Sequence, residues 1–213
     1  MNKGEFLAAG GLYLITPDCT DEDRLFELVS SVLPSGVAVL QLRNKRATKA
    51  ELARRAEGLL ALCRQHQVPL VINDDWQLAV AIGADGVHLG RDDADPAQVR
   101  CEVGPGLVIG VSCYGDLGRA QRAAAAGADY LAFGAMFASA TKPLAPIVAA
   151  AVLRAAQRFS LPTVAIGGIT PDNAHLPLSA GAQFLAVVGA VFDAPDPVVA
   201  VRKFNTCIRE RAP

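Results

Sequence analysis

The 213-residue sequence has few aromatic residues, no block of like charge and no long uninterrupted apolar run. Aromatic side chains form 6% of the chain and apolar residues 52%, which predicts an interior of valine, leucine, isoleucine and alanine. The net charge of −1 argues against a nucleic-acid-binding protein, because such proteins carry a basic surface. No run of about 18 apolar residues indicates a membrane span, and we expect no secretory signal.

The cysteines are few and scattered. They are Cys19, Cys63, Cys101, Cys113 and Cys207. The odd number and the lack of C-x-x-C spacing argue against a disulfide framework and a structural metal site. We therefore expect reduced thiols and a cytoplasmic protein. Cys113 has no base beside it in the sequence, which favours a buried thiol over a nucleophile.

Short apolar segments alternate with helical patterns along the whole chain. The predicted strands are 11–16, 37–42, 69–72, 85–89, 107–111, 129–133, 163–166 and 183–188. Their continuous apolar character is typical of parallel strands buried on both faces. Eight such units predict an α/β fold, a (β/α)₈ TIM barrel formed by residues 1–213 as a single domain. An open doubly wound sheet is the alternative.

Helices are predicted over 49–66, 147–159 and 197–209 from apolar residues at helical spacing. Thr48 and Glu51 have the spacing of a capping box at the start of the first of these helices. Gly-Ala-Asp recurs before or within two strands, at 83–85 and 127–129, with Gly-Ala-Gln at 181–183 as a variant. Glycine at these positions is typical of a helix C-cap leading into the next strand.

The residues that follow the strands carry the functional signal, since the loops after the strands of such barrels build the active site. Gln41, Arg43 and Lys45 alternate after the second strand, which places their side chains on one face. Arginine and lysine bind phosphate oxygens, and glutamine offers both a donor and an acceptor to a heterocycle. A solvated loop is the alternative, but the alternation continues from a buried strand.

Acidic residues follow two neighbouring strands. Asn73, Asp74 and Asp75 end the third strand, and Asp92 and Asp93 come after the fourth. Aspartate at a turn is often only a helix cap, which is the role expected of Asp75, but carboxylates at two adjacent strand ends can bind a hard cation such as Mg²⁺. Together with the basic residues, they predict a site for a metal–diphosphate substrate.

Other polar residues are expected at the same rim. Ser112 after the fifth strand offers a hydrogen-bond donor, and His88 reads as a packed, hydrogen-bonded histidine rather than a base. Ser139, Thr141 and Lys142 form a hydroxyl and ammonium cluster suited to an anion.

Glycines after the last two strands, at 167–168 and at 189, suggest a second phosphate pocket, because backbone N–H groups can approach an anion closely there. Tight turns are the alternative explanation for these glycines.

A set of motifs in one order resembles the thiamine-phosphate synthase family over nearly the whole chain. The motifs are G-L-Y-L-I-T, Q-L-R-N-K, I-N-D-D, G-A-D-G-V-H-L-G-R-D-D, G-V-S, T-K-P and V-A-I-G-G-I. The resemblance implies a transferase of the alkyl or aryl type that joins 4-amino-2-methyl-5-hydroxymethylpyrimidine diphosphate to a thiazole phosphate, which makes thiamine phosphate and diphosphate. It also implies a dissociative substitution, in which diphosphate leaves before the thiazole nitrogen attacks.

The resemblance further implies roles for individual residues. Asp74 and Asp93 would coordinate Mg²⁺. The pyrimidine diphosphate would contact Gln41, Arg43, Lys45, Asn73, Ser112 and Lys142, of which Arg43, Lys45 and Lys142 would assist catalysis. The thiazole phosphate would contact Ser139, Thr141, Gly168, Val188 and Gly189. The expected partners are these small molecules, with no nucleic acid and no membrane, and the sequence leaves the oligomeric state open, a homo-oligomer included.

The sequence departs from the family's usual residues at Arg91, Tyr114, Ala135, Ser139 and Gly189, none of which is an expected metal ligand or cation-bearing site residue. Two rival functions stay open at this point. A thiazole tautomerase of the same fold would use a histidine where this chain has Tyr114 and would need no metal–diphosphate residues. A non-catalytic barrel that senses a phosphorylated metabolite would likewise have no use for the aspartates.

Overall fold

The structure, a computed structural model, describes residue 7 and the ranges 10–138 and 146–210. Eight parallel strands in these ranges close into a barrel, in which the order of the strands is their order along the chain. The predicted TIM barrel is confirmed, and the alternative of an open sheet is wrong.

The strands are β1 (Gly11–Ile15), β2 (Val39–Leu42), β3 (Leu70–Asn73), β4 (Gly86–Leu89), β5 (Val108–Tyr114), β6 (Tyr130–Phe133), β7 (Thr163–Ile166) and β8 (Phe184–Val187). The α-helices of the described ranges are α1 (Glu22–Val32), α2 (Lys49–Gln65), α3 (Trp76–Ile82), α4 (Pro96–Val103), α5 (Leu117–Ala125), α6 (Ala151–Ala156), α7 (His175–Ser179), α8 (Gly189–Phe192) and α9 (Pro197–Arg209). Two short 3₁₀ segments, Leu33–Ser35 and Gln157–Phe159, follow α1 and α6. Within the described part of the chain, every helix is too short or too polar to cross a lipid bilayer.

Alternation along the strands divides the core into two layers. In β1, Leu12 and Leu14 pack among the helices, whereas Tyr13 and Ile15 belong to the inner cluster of the barrel. Successive side chains of a strand point to opposite faces, which explains why both layers need apolar residues and why the strands read as continuous apolar runs. The inner layer forms the base on which the candidate site lies.

The predicted start of α2 is confirmed. Thr48 Oγ1 accepts a hydrogen bond from the Glu51 N–H at 3.3 Å, and Glu51 Oε2 accepts one from the Thr48 N–H at 2.7 Å. The two bonds satisfy N–H groups that would otherwise lack partners in the first turn. The buried side of the helix carries Ala56, Leu59 and Cys63, each with no exposed surface.

Several predicted boundaries differ from the structure, and two of these differences have clear causes. The helix expected from residue 147 begins at Ala151, because the Val148 N–H donates to the Ala135 carbonyl at 2.8 Å and holds that segment against β6. Strand β5 continues past its expected end to Tyr114, so Ser112 lies within the strand and not in a loop after it. Pairing with β6 extends β5, since Ser112 is in register with Ala132.

The repeated Gly-Ala-Asp segment connects neighbouring strands at the end of the barrel opposite the site. Its glycines, Gly83, Gly127 and Gly181, have φ of 71°, 87° and 97°, the left-handed conformation expected after a helix. The third residue of each repeat accepts a hydrogen bond from the start of the preceding strand. These bonds join the N–H groups of Leu70, Ile109 and Thr163 to Asp85, Asp129 and Gln183 at 2.8, 2.8 and 2.7 Å.

Candidate active site

The residues at the carboxyl ends of the strands enclose a cavity of about 450 Å³, a volume typical of a small-molecule site. Its walls include seven of the residues singled out in the sequence: Gln41, Arg43, Asn73, Ser112, Gly168, Val188 and Gly189. The remaining described candidates are Lys45, Asp74 and Asp93, which lie together after β2, β3 and β4. Ser139, Thr141 and Lys142 lie outside the described residues.

Strand β2 delivers Gln41 and Arg43 to the cavity. Gln41 is 2% exposed, and its carbonyl accepts a hydrogen bond from the Thr16 N–H at 3.0 Å. Thr16 Oγ1 donates to the Arg43 carbonyl and accepts from the Arg43 N–H, both at 3.0 Å. These bonds extend the pairing with β1 beyond the end of β2 as far as Arg43, whereas Lys45 lies in the exposed loop that follows.

Asp18, which the sequence analysis did not single out, supports the basic residues. Its Oδ2 lies 3.3 Å from Arg43 Nη1, and its Oδ1 accepts a hydrogen bond from the Lys45 N–H at 3.0 Å. One carboxylate thus holds the guanidinium of Arg43 and the backbone of Lys45 together. The only signal for it was an acidic residue after the first strand, with no basic partner nearby in the sequence.

Arg55 on α2 holds the loop that carries Asp18. Its guanidinium donates to the carbonyls of Cys19 and Thr20, each at 2.8 Å, and its Nε lies 3.6 Å from Glu22 Oε2. The Arg55 residue is 3% exposed. A buried cation with these partners fixes the loop after β1 beneath the site.

Asp74 and Asp93 meet across the ends of β3 and β4, as the sequence predicts. The Asp74 N–H donates to the His88 carbonyl at 2.9 Å, and Asp93 Oδ2 accepts from the Gly90 N–H at 2.6 Å. The Asp93 carboxyl is close enough to Asp74 to raise its pKa. Lys45 Nζ lies 3.8 Å from Asp74 Oδ2, so a basic group is next to the acidic pair.

The electrostatics of this pair favour an added positive charge. Burial and, after it, the neighbouring Asp93 carboxyl raise the pKa of Asp74 to about 6, against the opposing effect of Lys45 and Arg43. Within the described ranges, no group of three or more His, Cys, Asp or Glu side chains is placed to hold a metal ion. Two carboxylates suit Mg²⁺ in particular, since it usually takes one or two from the protein and the rest of its ligands from water and phosphates.

The neighbouring aspartates have structural roles. Asp75 caps α3 by accepting a hydrogen bond from the Leu78 N–H at 2.9 Å, as expected. The cap of α4 is Asp95, which accepts from the Ala97 N–H at 3.2 Å, so Asp92 is not the cap of that helix.

A row of four hydrogen-bonded side chains crosses the base of the cavity, and we call it the floor network: Tyr13, Tyr130, His88 and Ser112. Tyr13 Oη lies 2.9 Å from Tyr130 Oη, which lies 2.9 Å from His88 Nδ1. His88 Nε2 in turn lies 2.8 Å from Ser112 Oγ. The prediction of a packed, hydrogen-bonded histidine is confirmed. The tyrosines gave no signal in the sequence because they occupy ordinary strand positions.

Arg119 and Tyr114 close the side of the cavity beyond Ser112. Arg119 donates to the Ser112 and Gly90 carbonyls, both at 2.7 Å, and so ties β5 to the loop after β4. The Arg91 guanidinium lies 4.5 Å from the centre of the Tyr114 ring, a cation–π contact. Cys113 is buried, as predicted, and burial raises the pKa of its thiol to about 12, which disfavours the thiolate at neutral pH.

The glycine-rich ends of β7 and β8 form the opposite wall. Gly168 has φ of 63°, and a Cβ atom there would run into the carbonyl oxygen of Ala138. A Cβ atom on Gly189 would run into Oδ2 of Asp193. Gly168 therefore requires glycine, whereas the flexible Asp193 side chain could turn aside for a side chain at position 189. Backbone lines the cavity where the second phosphate is predicted.

Comparisons with known proteins agree with this geometry. The family described as thiamine monophosphate synthase matches residues 12–191. A thiamine-phosphate synthase of Methylobacillus flagellatus is 52% identical over 195 residues, covering 92% of this chain and 93% of that protein. The corresponding protein of Azoarcus sp. is 52% identical over 189 residues, covering 88% and 92%.

A solved structure agrees as well. The thiamine phosphate pyrophosphorylase from Pyrococcus furiosus superposes with a TM-score of 0.84 at 33% identity, covering 95% of this chain and 97% of that one. Taken with the match over residues 12–191, these likenesses show that the chain belongs to the thiamine monophosphate synthase family.

Proposed function

We propose that this member of the thiamine monophosphate synthase family joins 4-amino-2-methyl-5-hydroxymethylpyrimidine diphosphate to 4-methyl-5-(2-phosphoethyl)thiazole or its carboxylated tautomer. The products are thiamine phosphate and diphosphate, and the chain is accordingly a transferase of thiamine biosynthesis. The observation that carries the proposal is the meeting of Lys45 with the Asp74–Asp93 pair beside a cavity lined by Arg43.

The diphosphate is proposed to lie at the ends of β2, β3 and β4. Arg43 forms a fork of donors that suits two phosphate oxygens, and Lys45 adds a point charge next to Asp74. Negative charge grows on the leaving diphosphate as its bond to the pyrimidine methylene breaks. Fixed positive charges at this place therefore stabilise the transition state more than the bound substrate.

Mg²⁺ is proposed to be held by Asp74 and Asp93, where it would neutralise charge on the leaving diphosphate. The raised pKa of Asp74 supports this assignment, because burial and the neighbouring Asp93 carboxyl both disfavour its charged form and a bound cation would favour it. Asn73, at the end of β3, lines the cavity wall beside the pair and is proposed to contact the diphosphate.

The pyrimidine ring is proposed to bind beside Gln41, whose amide can pair with a ring edge that offers both a donor and an acceptor. Apolar walls around it, including Ile15, Val164 and Ile166, keep water away from the cation left by diphosphate departure. The thiazole phosphate is assigned to the backbone of Gly168 and of the Val188–Gly189 turn, opposite the diphosphate. Ser139, Thr141 and Lys142 keep their sequence-based roles as part of the proposal.

The rival functions fit less well. A tautomerase needs a base, whereas Tyr114 occupies the place of the expected histidine and the described cavity residue His88 is bonded at both ring nitrogens. A sensor of a phosphorylated metabolite needs no carboxylate pair beside its anion site. The cytoplasmic location expected from the cysteines is part of the proposal, and all five cysteines are free thiols.

The test is a direct assay of the purified protein with both substrates and Mg²⁺, with thiamine phosphate and diphosphate measured separately. We expect the two products in equal amounts. Asp93→Ala should lose most of the turnover while remaining folded, and Asp92→Ala is the matched control that should keep its turnover. Folded wild-type protein that makes neither product would refute the proposal.

A further inference from the structure

The floor network has a single consistent arrangement of protons, and this arrangement bears on Ser112. Tyr13 and Tyr130 are 3% and 1% exposed. Burial raises the pKa of each hydroxyl above its usual value, so both keep their protons at neutral pH. The row therefore contains two O–H donors that need acceptors, and an unmatched buried donor costs more than an unused lone pair.

The direction of each hydrogen bond in the floor network follows from Tyr13, which lies at one end of the row. The hydrogen bond of Tyr13 Oη within the described ranges is the one to Tyr130 Oη, so Tyr13 has to donate and Tyr130 to accept. Tyr130 then donates its own proton to the other atom within reach, His88 Nδ1 at 2.9 Å. An Nδ1 that accepts carries no proton, and the neutral ring must hold its proton on Nε2.

The last bond of the row is fixed by the same reasoning. The protonated Nε2 of His88 donates to Ser112 Oγ at 2.8 Å, so the serine accepts on that side. The hydroxyl proton of Ser112 is not used in this bond, and it can point into the cavity because Ser112 lines the cavity wall. The opposite tautomer would make Ser112 donate to His88 and would present only lone pairs to a ligand, which is unfavourable for a phosphate.

We propose that Tyr13, Tyr130 and His88 are positioning residues that lock His88 in the Nε2–H tautomer and so make Ser112 a donor to the anionic substrate. The proposal rests on the proposed function, since it takes the diphosphate as the ligand of Ser112. Two packing features keep the row in place. The rings of His88 and Tyr130 stack with centroids 5.7 Å apart, and Gly110 leaves room for the Tyr130 ring where a Cβ atom would collide with it.

The first test is spectroscopic and needs no substrate. Nitrogen-15 NMR of histidine-labelled protein, recorded above neutral pH, distinguishes the two neutral tautomers of His88, and the spectrum of His88→Gln identifies its signals. We expect a protonated Nε2 and an unprotonated Nδ1. The opposite tautomer would overturn the proposal, whether or not the protein makes thiamine phosphate.

The second test compares two substitutions of His88, each of which can keep the hydrogen bond made by one ring nitrogen and loses the one made by the other. The Gln amide nitrogen can occupy the place of Nε2 and keep the donation to Ser112, whereas Asn reaches only the place of Nδ1. We expect His88→Asn to lower kcat by about tenfold or more and His88→Gln to lower it by about threefold or less. Adding Ser112→Ala to His88→Asn should cost nothing beyond Ser112→Ala alone.

Equal losses in the Asn and Gln variants, or additive losses in the double variant, would show that His88 serves the fold only. Unfolding temperatures identify a variant that fails to fold, and in that case the tautomer of the wild-type protein decides. An inactive wild-type protein with the expected tautomer would refute the proposed function and leave the proton arrangement standing.

Discussion

Replacing Asp74 by asparagine should make the metal-free protein more stable and the enzyme inactive. Asp74 has φ of 65°, a left-handed conformation that asparagine tolerates well, so the backbone need not change. The substitution removes one of two neighbouring carboxyl groups that repel each other when both are charged. Stability gained by removing a functional residue would show directly that the site is strained electrostatically.

The magnitude follows from the pKa of Asp74, which burial and Asp93 raise from 3.8 to about 6. A shift of about two units corresponds to about 3 kcal/mol. The side chain is 33% exposed, and solvent screening reduces the expected gain to about 1–2 kcal/mol.

The sign of the pH dependence is fixed by the direction of the shift. The folded chain keeps a proton on Asp74 that the unfolded chain has already lost between about pH 4 and pH 6. The contribution of this group is therefore fully present below about pH 4 and is lost as the pH rises through about 6. Asp74→Asn should lack this decline, so its advantage over the wild type grows between about pH 4 and pH 6 and is constant above that range.

The assay is urea unfolding without divalent cations from pH 4 to pH 8, with Asp92→Asn as the control for the loss of an exposed aspartate. Added Mg²⁺ should stabilise the wild type and not Asp74→Asn, since a ligand stabilises only a state that binds it. An Asp74→Asn protein less stable than the wild type at pH 7.5, or one with the same pH profile, would refute the electrostatic reasoning.

Three further substitutions test other parts of the site. Asp18→Asn should raise KM for the pyrimidine diphosphate about three- to tenfold in steady-state kinetics, because Arg43 loses a charged partner worth about 1 kcal/mol; an unchanged KM would remove Asp18 from the site. Gly168→Ala should lower the free energy of unfolding by about 1–3 kcal/mol in urea and weaken thiazole phosphate binding, since its φ of 63° and the Ala138 carbonyl both oppose a side chain; a neutral effect would contradict this. Gly110→Ala should also lower the free energy of unfolding by about 1–3 kcal/mol, because the added Cβ atom would collide with the Tyr130 ring. A wild-type melting temperature would show that the ring can move aside.

The barrel could be predicted from the sequence because its strands are apolar on both faces and recur with helices between them. All eight strands were found, and the errors are at ends that depend on distant partners. Val148 does not start a helix since its N–H bonds to Ala135, and β5 reaches Tyr114 since β6 lies beside it. Neither partner is visible in a local pattern of hydrophobicity.

The candidate site likewise contains features that could be predicted from the sequence and features that could not. Asp74 and Asp93 could be predicted to meet, because Asp74 directly follows β3 and Asp93 lies in the loop after the neighbouring strand β4. The floor network could not, since its bonds join residues 24, 42 and 117 positions apart and its two tyrosines occupy strand positions where apolar residues are equally common. The sequence shows that a tyrosine is present, but it does not show towards which neighbour the hydroxyl group of its ring points.

The most direct test of the central claim, that a cation between Asp74 and Asp93 assists diphosphate departure, is the initial rate of thiamine phosphate formation against Mg²⁺ concentration. The wild type should be inactive in a chelator and reach a saturating rate as Mg²⁺ is added. Asp93→Asn should need about tenfold more Mg²⁺ or more for half of its maximal rate, since it loses one of two charged ligands. Full wild-type activity in the chelator, or an unchanged Mg²⁺ requirement in Asp93→Asn, would contradict the account.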